Sequence, residues 1–189
     1  MKKIILITIL IGIILLFANC RKSGVVGVCI EYVEYESFAR CYSELNKKNG
    51  VFFIKGMVLN EYSGGNKIEV MEDLRGNFRD KSHINVWYCS SYPENDTLIM
   101  PLRKCEGDHK GISYEYEGVK GGYPILRLSN GYVNGYILSK DDKWLKSLSQ
   151  KEQASILENL HHNTEIWEWQ TMSWDNFQKL LKTIKNTKL

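Results

Sequence analysis

The chain has 189 residues, of which 43% are apolar and 25% charged, with only three prolines. That is enough apolar material for one core, and it excludes a disordered chain, collagen, a long coiled coil and a multi-pass membrane protein. Lys and Arg number 25 against 22 Asp and Glu, a near-balance that gives no basis for nucleic acid or an acidic substrate as partner.

Met1-Lys2-Lys3 is a positive start, and Ile4 to Ala18 is an uncharged run broken in its apolar character only by Thr8 and Gly12. Spanning lipid takes about 20 residues at 1.5 Å rise each. The run is shorter, so it reads as a secretory signal rather than a retained anchor. Phe17-Ala18-Asn19-Cys20 resembles the end of a bacterial lipoprotein signal, in which the cysteine is lipidated and becomes the first mature residue. Phe17 stands where Leu is usual, and Asn19 where a small residue is usual. The resemblance implies a signal over 1–19, lipidation at Cys20, a tether over 20–28 and a membrane partner reached through the lipid. Each buried CH₂ contributes about 0.8 kcal/mol, so several acyl chains hold stably. The expected location is the cell envelope, on the outer membrane. Arg21-Lys22 in place of an acidic run favours its periplasmic face over the cell surface. Loss of Lys2 and Lys3 leaves 23 basic against 22 acidic residues.

Export implies an oxidising compartment, where the remaining Cys29, Cys41, Cys89 and Cys105 are disulfide candidates. Three pairings are open. Proximity favours Cys29–Cys41 and Cys89–Cys105, each closing a loop worth roughly 3 kcal/mol in the chain-entropy model. No C-x-x-C is present and the spacings fit no common zinc site, so no metal is expected.

From Tyr32 the apolar residues Tyr35, Phe38, Ala39, Tyr42 and Leu45 recur at three and four, predicting a helix that stops by Asn49-Gly50. Strands are predicted over 51–59, 67–74, 84–88, 97–102 and 112–116, then over 124–128 and 132–138 around the hairpin signal Asn130-Gly131. Residues 105–111 read as a charged, flexible stretch. Ser149-Gln150-Lys151-Glu152 is a capping box before Ile156, Leu157 and Leu160. A last helix starts at Ser173 and carries Trp174, Phe177, Leu180, Leu181 and Ile184 on one stripe.

Ser37-Phe38-Ala39-Arg40 in a helix, a strand with an internal glycine at Gly56, then Ile68 to Asn77 and Ile84-Asn85-Val86-Trp87 form an order that resembles the netrin-like module. That is the OB-type barrel of tissue inhibitors of metalloproteinases and of many exported bacterial proteins. The resemblance covers residues 29–138 and carries no catalytic signature. The inhibitors work through a free N-terminal cysteine amine; a lipidated Cys20 has none, so inhibition by that route is not implied.

Other chemistry is sparse. His161-His162 is expected at a helix C-terminus, where adjacent rings diverge by about 100° and cannot share a metal. His83 and His109 lie in polar stretches, and Asp141-Asp142 reads as a solvated pair. No nucleophile has a placed base. Trp87, Tyr88, Tyr114, Tyr116 and Tyr123 either line a barrel face for a glycan or peptide or pack as core and cross-strand pairs. Single-stranded nucleic acid would require surplus positive charge. Asp96-Thr97-Leu98 is similar to an O-glycan acceptor motif of exported bacterial proteins, with Thr97 as the acceptor.

These readings give a β-dominated α+β chain. Its OB-like barrel of five to six strands occupies 29–138, with an N-terminal helix before the strands and a helical extension of two helices over 139–189. The expected function is that of a membrane-anchored, non-catalytic binding module without cofactor, its partner an envelope protein, peptide or glycan. A small exported hydrolase or protease inhibitor is the other reading.

Overall fold

The computed structural model describes residues 37–45, 47–62, 64–76, 78, 82–87, 92–109, 111–118, 125–162 and 169–187. Helix α1 (Phe38–Leu45) precedes strands β1 (Val51–Tyr62), β2 (Gly65–Asp73), β3 (His83–Trp87), β4 (Thr97–His109) and β5 (Ile112–Gly118). These five strands pair in the order β1-β2-β3-β5-β4 and close back on β1. All neighbours are antiparallel except β3 and β5, which run parallel through Val86/Tyr116 and Trp87/Glu117. The result is an OB-like barrel. From β4 the sheet continues through β6 (Leu126–Ser129), β7 (Tyr132–Gly135), β9 (Gln170–Ser173) and β8 (His161–His162). Helices α2 (Lys143–Lys146), α3 (Gln150–Glu158) and α4 (Trp174–Asn186) complete the element order.

Two apolar cores result. The barrel interior holds Ile54, Val58, Ile68, Ile84, Val86, Leu98, Met100, Leu102 and Tyr116. The other lies between the outside of β1 and β4 and the helices, and includes Phe38, Tyr42, Phe53, Ile99, Trp144, Phe177 and Leu181. Alternation sends Ile54 inward and Phe53 outward, and both sides are covered. Val51-Phe52-Phe53-Ile54 is therefore apolar throughout where a one-sided strand would alternate.

Gly56 stands at a register shift between β1 and β2. A Cβ there would lie 2.4 Å from Ile68 Cγ2 and 2.9 Å from the Glu69 carbonyl oxygen. Close approach at this point is what lets the barrel curl shut. Pro101 has a related logic. The carbonyl of its register partner Phe53 accepts from the Leu74 amide of the β2 side, so Pro101 is turned away from β1. On its other flank, β4 pairs with β6 through Ile99 and with β5 from Leu102 onward. Pro101 thus falls where no ladder bond is needed from it. The hairpin at Asn130-Gly131 forms with φ of 52° and 78°, the left-handed turn that its sequence signals.

Ser37 caps α1. Its Oγ accepts from the Arg40 amide at 3.0 Å, and the amides of Phe38 and Ala39 donate to the carbonyls of Tyr136 and Ile137. The helix stripe read from sequence is buried at Phe38, Ala39, Tyr42 and Leu45. The Ser149/Glu152 capping box opens α3, and Ser173 caps α4 through the Asn176 amide.

Three expectations change. β4 runs on to His109, so much of the stretch read as flexible is strand, paired with β5 across a bulge between Lys104 and Gly107. His161 and His162 form β8 against Thr171 and Gln170 rather than a helix end. Asp141 and Asp142 are not alike. Asp141 is exposed beside Lys146, while Asp142 is 1% exposed.

Candidate functional site

Trp87 closes β3 and Tyr114 stands on β5, both half-buried. Their rings stack with centroids 5.9 Å apart and planes 22° apart. The parallel pairing of β3 with β5 brings the two strands side by side. Gly107 of β4 makes room, since a Cβ there would lie 2.3 Å from the Tyr114 hydroxyl oxygen.

Tyr62, at the end of β1, props the same corner. Its hydroxyl donates to the Val86 carbonyl at 2.7 Å. Burial, with a smaller contribution from Tyr114, pushes the Tyr62 phenol up to about 12. Tyr114 is also raised, first by burial, then by electrostatic interaction with Cys105, Glu117 and Asp108. Both phenols therefore stay protonated at neutral pH and offer neutral hydroxyl groups. The β1–β2 turn begins just past Tyr62, and the β4–β5 turn lies just before Tyr114. These are the loops that border the ligand face of OB barrels.

Beside the pair, Glu117 is fully buried and is the register partner of both Trp87 and Arg103. Its Oε1 accepts from Arg103 Nε at 2.8 Å and from Nη2. No group among the described residues bonds Oε2. Arg103 is about half exposed (47%). The corner thus combines an uncharged aromatic surface with a half-exposed guanidinium neutralised by a buried carboxylate.

Of the five residues expected on an aromatic face, Trp87 and Tyr114 come together there. Tyr116 does not. It is 1% exposed inside the barrel, 5.8 Å from the ring of Phe52 and 5.6 Å from that of Phe78, as the register partner of the core residue Val86. Tyr88 and Tyr123 lie outside the described residues. Tyr62 was missed; its signal was its place at a strand end, directly before Ser63-Gly64-Gly65.

Among the described residues no disulfide is present. Cys41 is a free thiol on the inward face of α1, where burial and then the charge of Glu44 push its pKa up. Cys29, the partner that sequence proximity favours for it, is not among the described residues. Cys105 is half-buried in the β4 bulge. Cys20, Cys29 and Cys89 lie outside the described residues. Thr97 opens β4, half-buried, with backbone partners Met57 and Leu128. His83 is exposed beside Ser82, and His161 and His162 are exposed on β8.

A polar cluster unforeseen in the sequence joins α1 to the later chain. Asp142 Oδ2 accepts from Ser37 Oγ at 2.8 Å and from the Ser139 amide at 3.1 Å. Burial raises the Asp142 pKa, and hydrogen bonds from Ser139 and Ser37, the nearby Trp144 indole and the charge of Arg40 oppose the rise. Nearby, Gln170 Oε1 accepts from the Ile137 and Leu138 amides, and its Nε2 donates to the Leu138 carbonyl. The cluster anchors backbone; both polar residues are almost wholly buried.

Among the described residues, no group of three or more His, Cys, Asp or Glu side chains could hold a metal ion. No helix among them is long and apolar enough to cross a membrane. No family model, curated protein or solved structure matches the chain.

Proposed function

We propose that this protein is a lipid-anchored, non-catalytic binding module of the bacterial envelope, and that Trp87 and Tyr114 form the platform on which a glycan rests. The stacked pair at the OB-type ligand corner carries the reading. A flat aromatic surface edged by hydroxyl groups suits a ring with one apolar face and polar edges. The near-neutral composition and the absence of surplus positive charge support an uncharged ligand over a nucleic acid. Anchoring rests on the lipoprotein-like Cys20 and on the outer-membrane location inferred with it. The barrel order supports the netrin-like resemblance. Thr97 is proposed as an O-glycan acceptor, which intact-mass measurement on the exported protein decides by presence or absence of added hexose.

Intrinsic fluorescence titration with a panel of neutral oligosaccharides tests the platform. Trp87→Ala is expected to weaken binding about tenfold, the worth of one aromatic stack, with unchanged circular dichroism. Equal binding by the variant, or binding by acidic peptides alone, overturns the glycan reading. For anchoring, Cys20→Ser is expected to abolish palmitate labelling; labelling that persists overturns it.

A further inference from the structure

A second recess is built from none of the aromatic residues. It lies between α3 and α4 and has a volume of about 190 Å³. Met172 of β9 and Leu180 of α4 give it a buried apolar base, and Ile156 of α3 an apolar wall. Asn176 Nδ2 donates to Asn159 Oδ1 at 2.8 Å, pinning the end of α3 to the first turns of α4. Beyond this clasp the helices stand apart, and α3 buries none of its residues fully.

Two charged residues line the recess, one of each sign, and they differ in what is left to offer a ligand. Glu152 is the acid of the capping box. Its Oε2 accepts from both the amide and the hydroxyl of Ser149, which holds its pKa below the usual carboxylate value. Lys179 is exposed, its Nζ reaches only Asn176 Oδ1, at 3.4 Å, and it forms no ion pair among the described residues. The lining is thus an apolar base with one cation, Lys179, and one carboxylate whose Oε2 is taken up by Ser149.

We propose that the α3/α4 recess binds a small carboxylate with a compact apolar body. The body lies on Met172, Leu180 and Ile156, and the carboxylate meets the Lys179 ammonium. The Lys179 ammonium, whose hydrogen-bond partner is the neutral Asn176 amide, selects the acid, and the volume admits one ring or a short branched chain. A bare anion would leave the apolar base wet, and a neutral ring would leave the ammonium without an ionic partner.

The test uses the full-length chain in detergent micelles, with benzoate and its neutral isostere benzamide as probes. The readout is the side-chain amide NMR signals of Asn159 and Asn176. Benzoate is expected to shift both signals saturably and to bind about three- to fivefold more tightly than benzamide, the worth of one exposed ion pair. Lys179→Met should reduce benzoate to the level of benzamide and leave benzamide unchanged. Absence of a saturable shift overturns the proposal, as does equal binding of the two probes or a benzoate affinity untouched by Lys179→Met. The aromatic corner is not involved, so Trp87→Ala should leave benzoate binding intact; a loss there would also overturn the assignment.

Discussion

The ammonium nitrogen of Lys55 stands 4.5 Å from the ring centre of Trp174 and 2.5 Å from Glu72 Oε2. β1 thereby holds the first residue of α4 on one side and β2 on the other. Lys55 is largely buried, its side chain 16% exposed, so the contact is partly desolvated. Lys55→Ala is expected to lower stability by about 1–2 kcal/mol. A double-mutant cycle with Trp174→Leu in urea denaturation checks the coupling, and additive effects would show that the stack contributes nothing.

Gly56 admits no side chain without a shift of the barrel wall, because one of the two close neighbours is backbone. Gly56→Ala should destabilise by about 3 kcal/mol, at the upper end of overpacking costs. A urea midpoint within error of the parent would refute this.

Asp142 gives a pH signature. Its folded pKa is raised from 3.8 by burial, so the folded state binds the proton more tightly than the unfolded chain does. This group therefore favours folding below pH 3.8, and its contribution is lost as pH rises through the raised folded value. Asp142→Asn carries no such titration. The stability of Asp142→Asn relative to the parent should rise with pH across that window and level off above it. Asp141 and Glu152, whose values are lowered, give the opposite slope in both proteins and cancel from the comparison. Urea midpoints from pH 3 upward measure the difference; a flat one would contradict the burial effect.

Tyr116 and Trp87 separate folding from binding. Tyr116→Ala empties part of the barrel core and should cost about 3–5 kcal/mol. Trp87→Ala, at a half-buried strand end, should cost about 1 kcal/mol. Thermal melts of the two variants should rank in that order, and the reverse would restore Tyr116 to the surface.

Cys41 should resist alkylation while the chain is folded, since burial disfavours the thiolate that reacts. Iodoacetamide with peptide mapping is expected to label Cys41 only in denaturant. Labelling at native rates would show that α1 opens.

The barrel was legible because its signals are local. Alternation at Ile68 and Val70, the turn at Asn130-Gly131 and the internal Gly56 each specify a strand, a turn or a curl without reference to distant residues. Trp87 and Tyr114 are legible as aromatic strand residues, but alternation gives Tyr114 and Tyr116 the same face, and how deeply each is buried depends on strands distant in sequence. The Asp142 cluster was not legible. Ser37 and Asp142 are 105 residues apart, and nothing near either announces the other. The strand pair β8 and β9 was hidden for a similar reason, since two histidines form a strand only because Gln170 and Thr171 lie alongside.

The double allegiance of β4 has a thermodynamic consequence. Leu98, Met100 and Leu102 fill the barrel while Ile99, on the same strand, fills the helical layer. Neither hydrophobic cluster can melt while the other keeps this strand in place. Calorimetry should therefore record one endotherm whose van't Hoff and calorimetric enthalpies agree, and the backbone amides of Leu98, Ile99, Met100 and Leu102 should exchange with deuterium only through global opening.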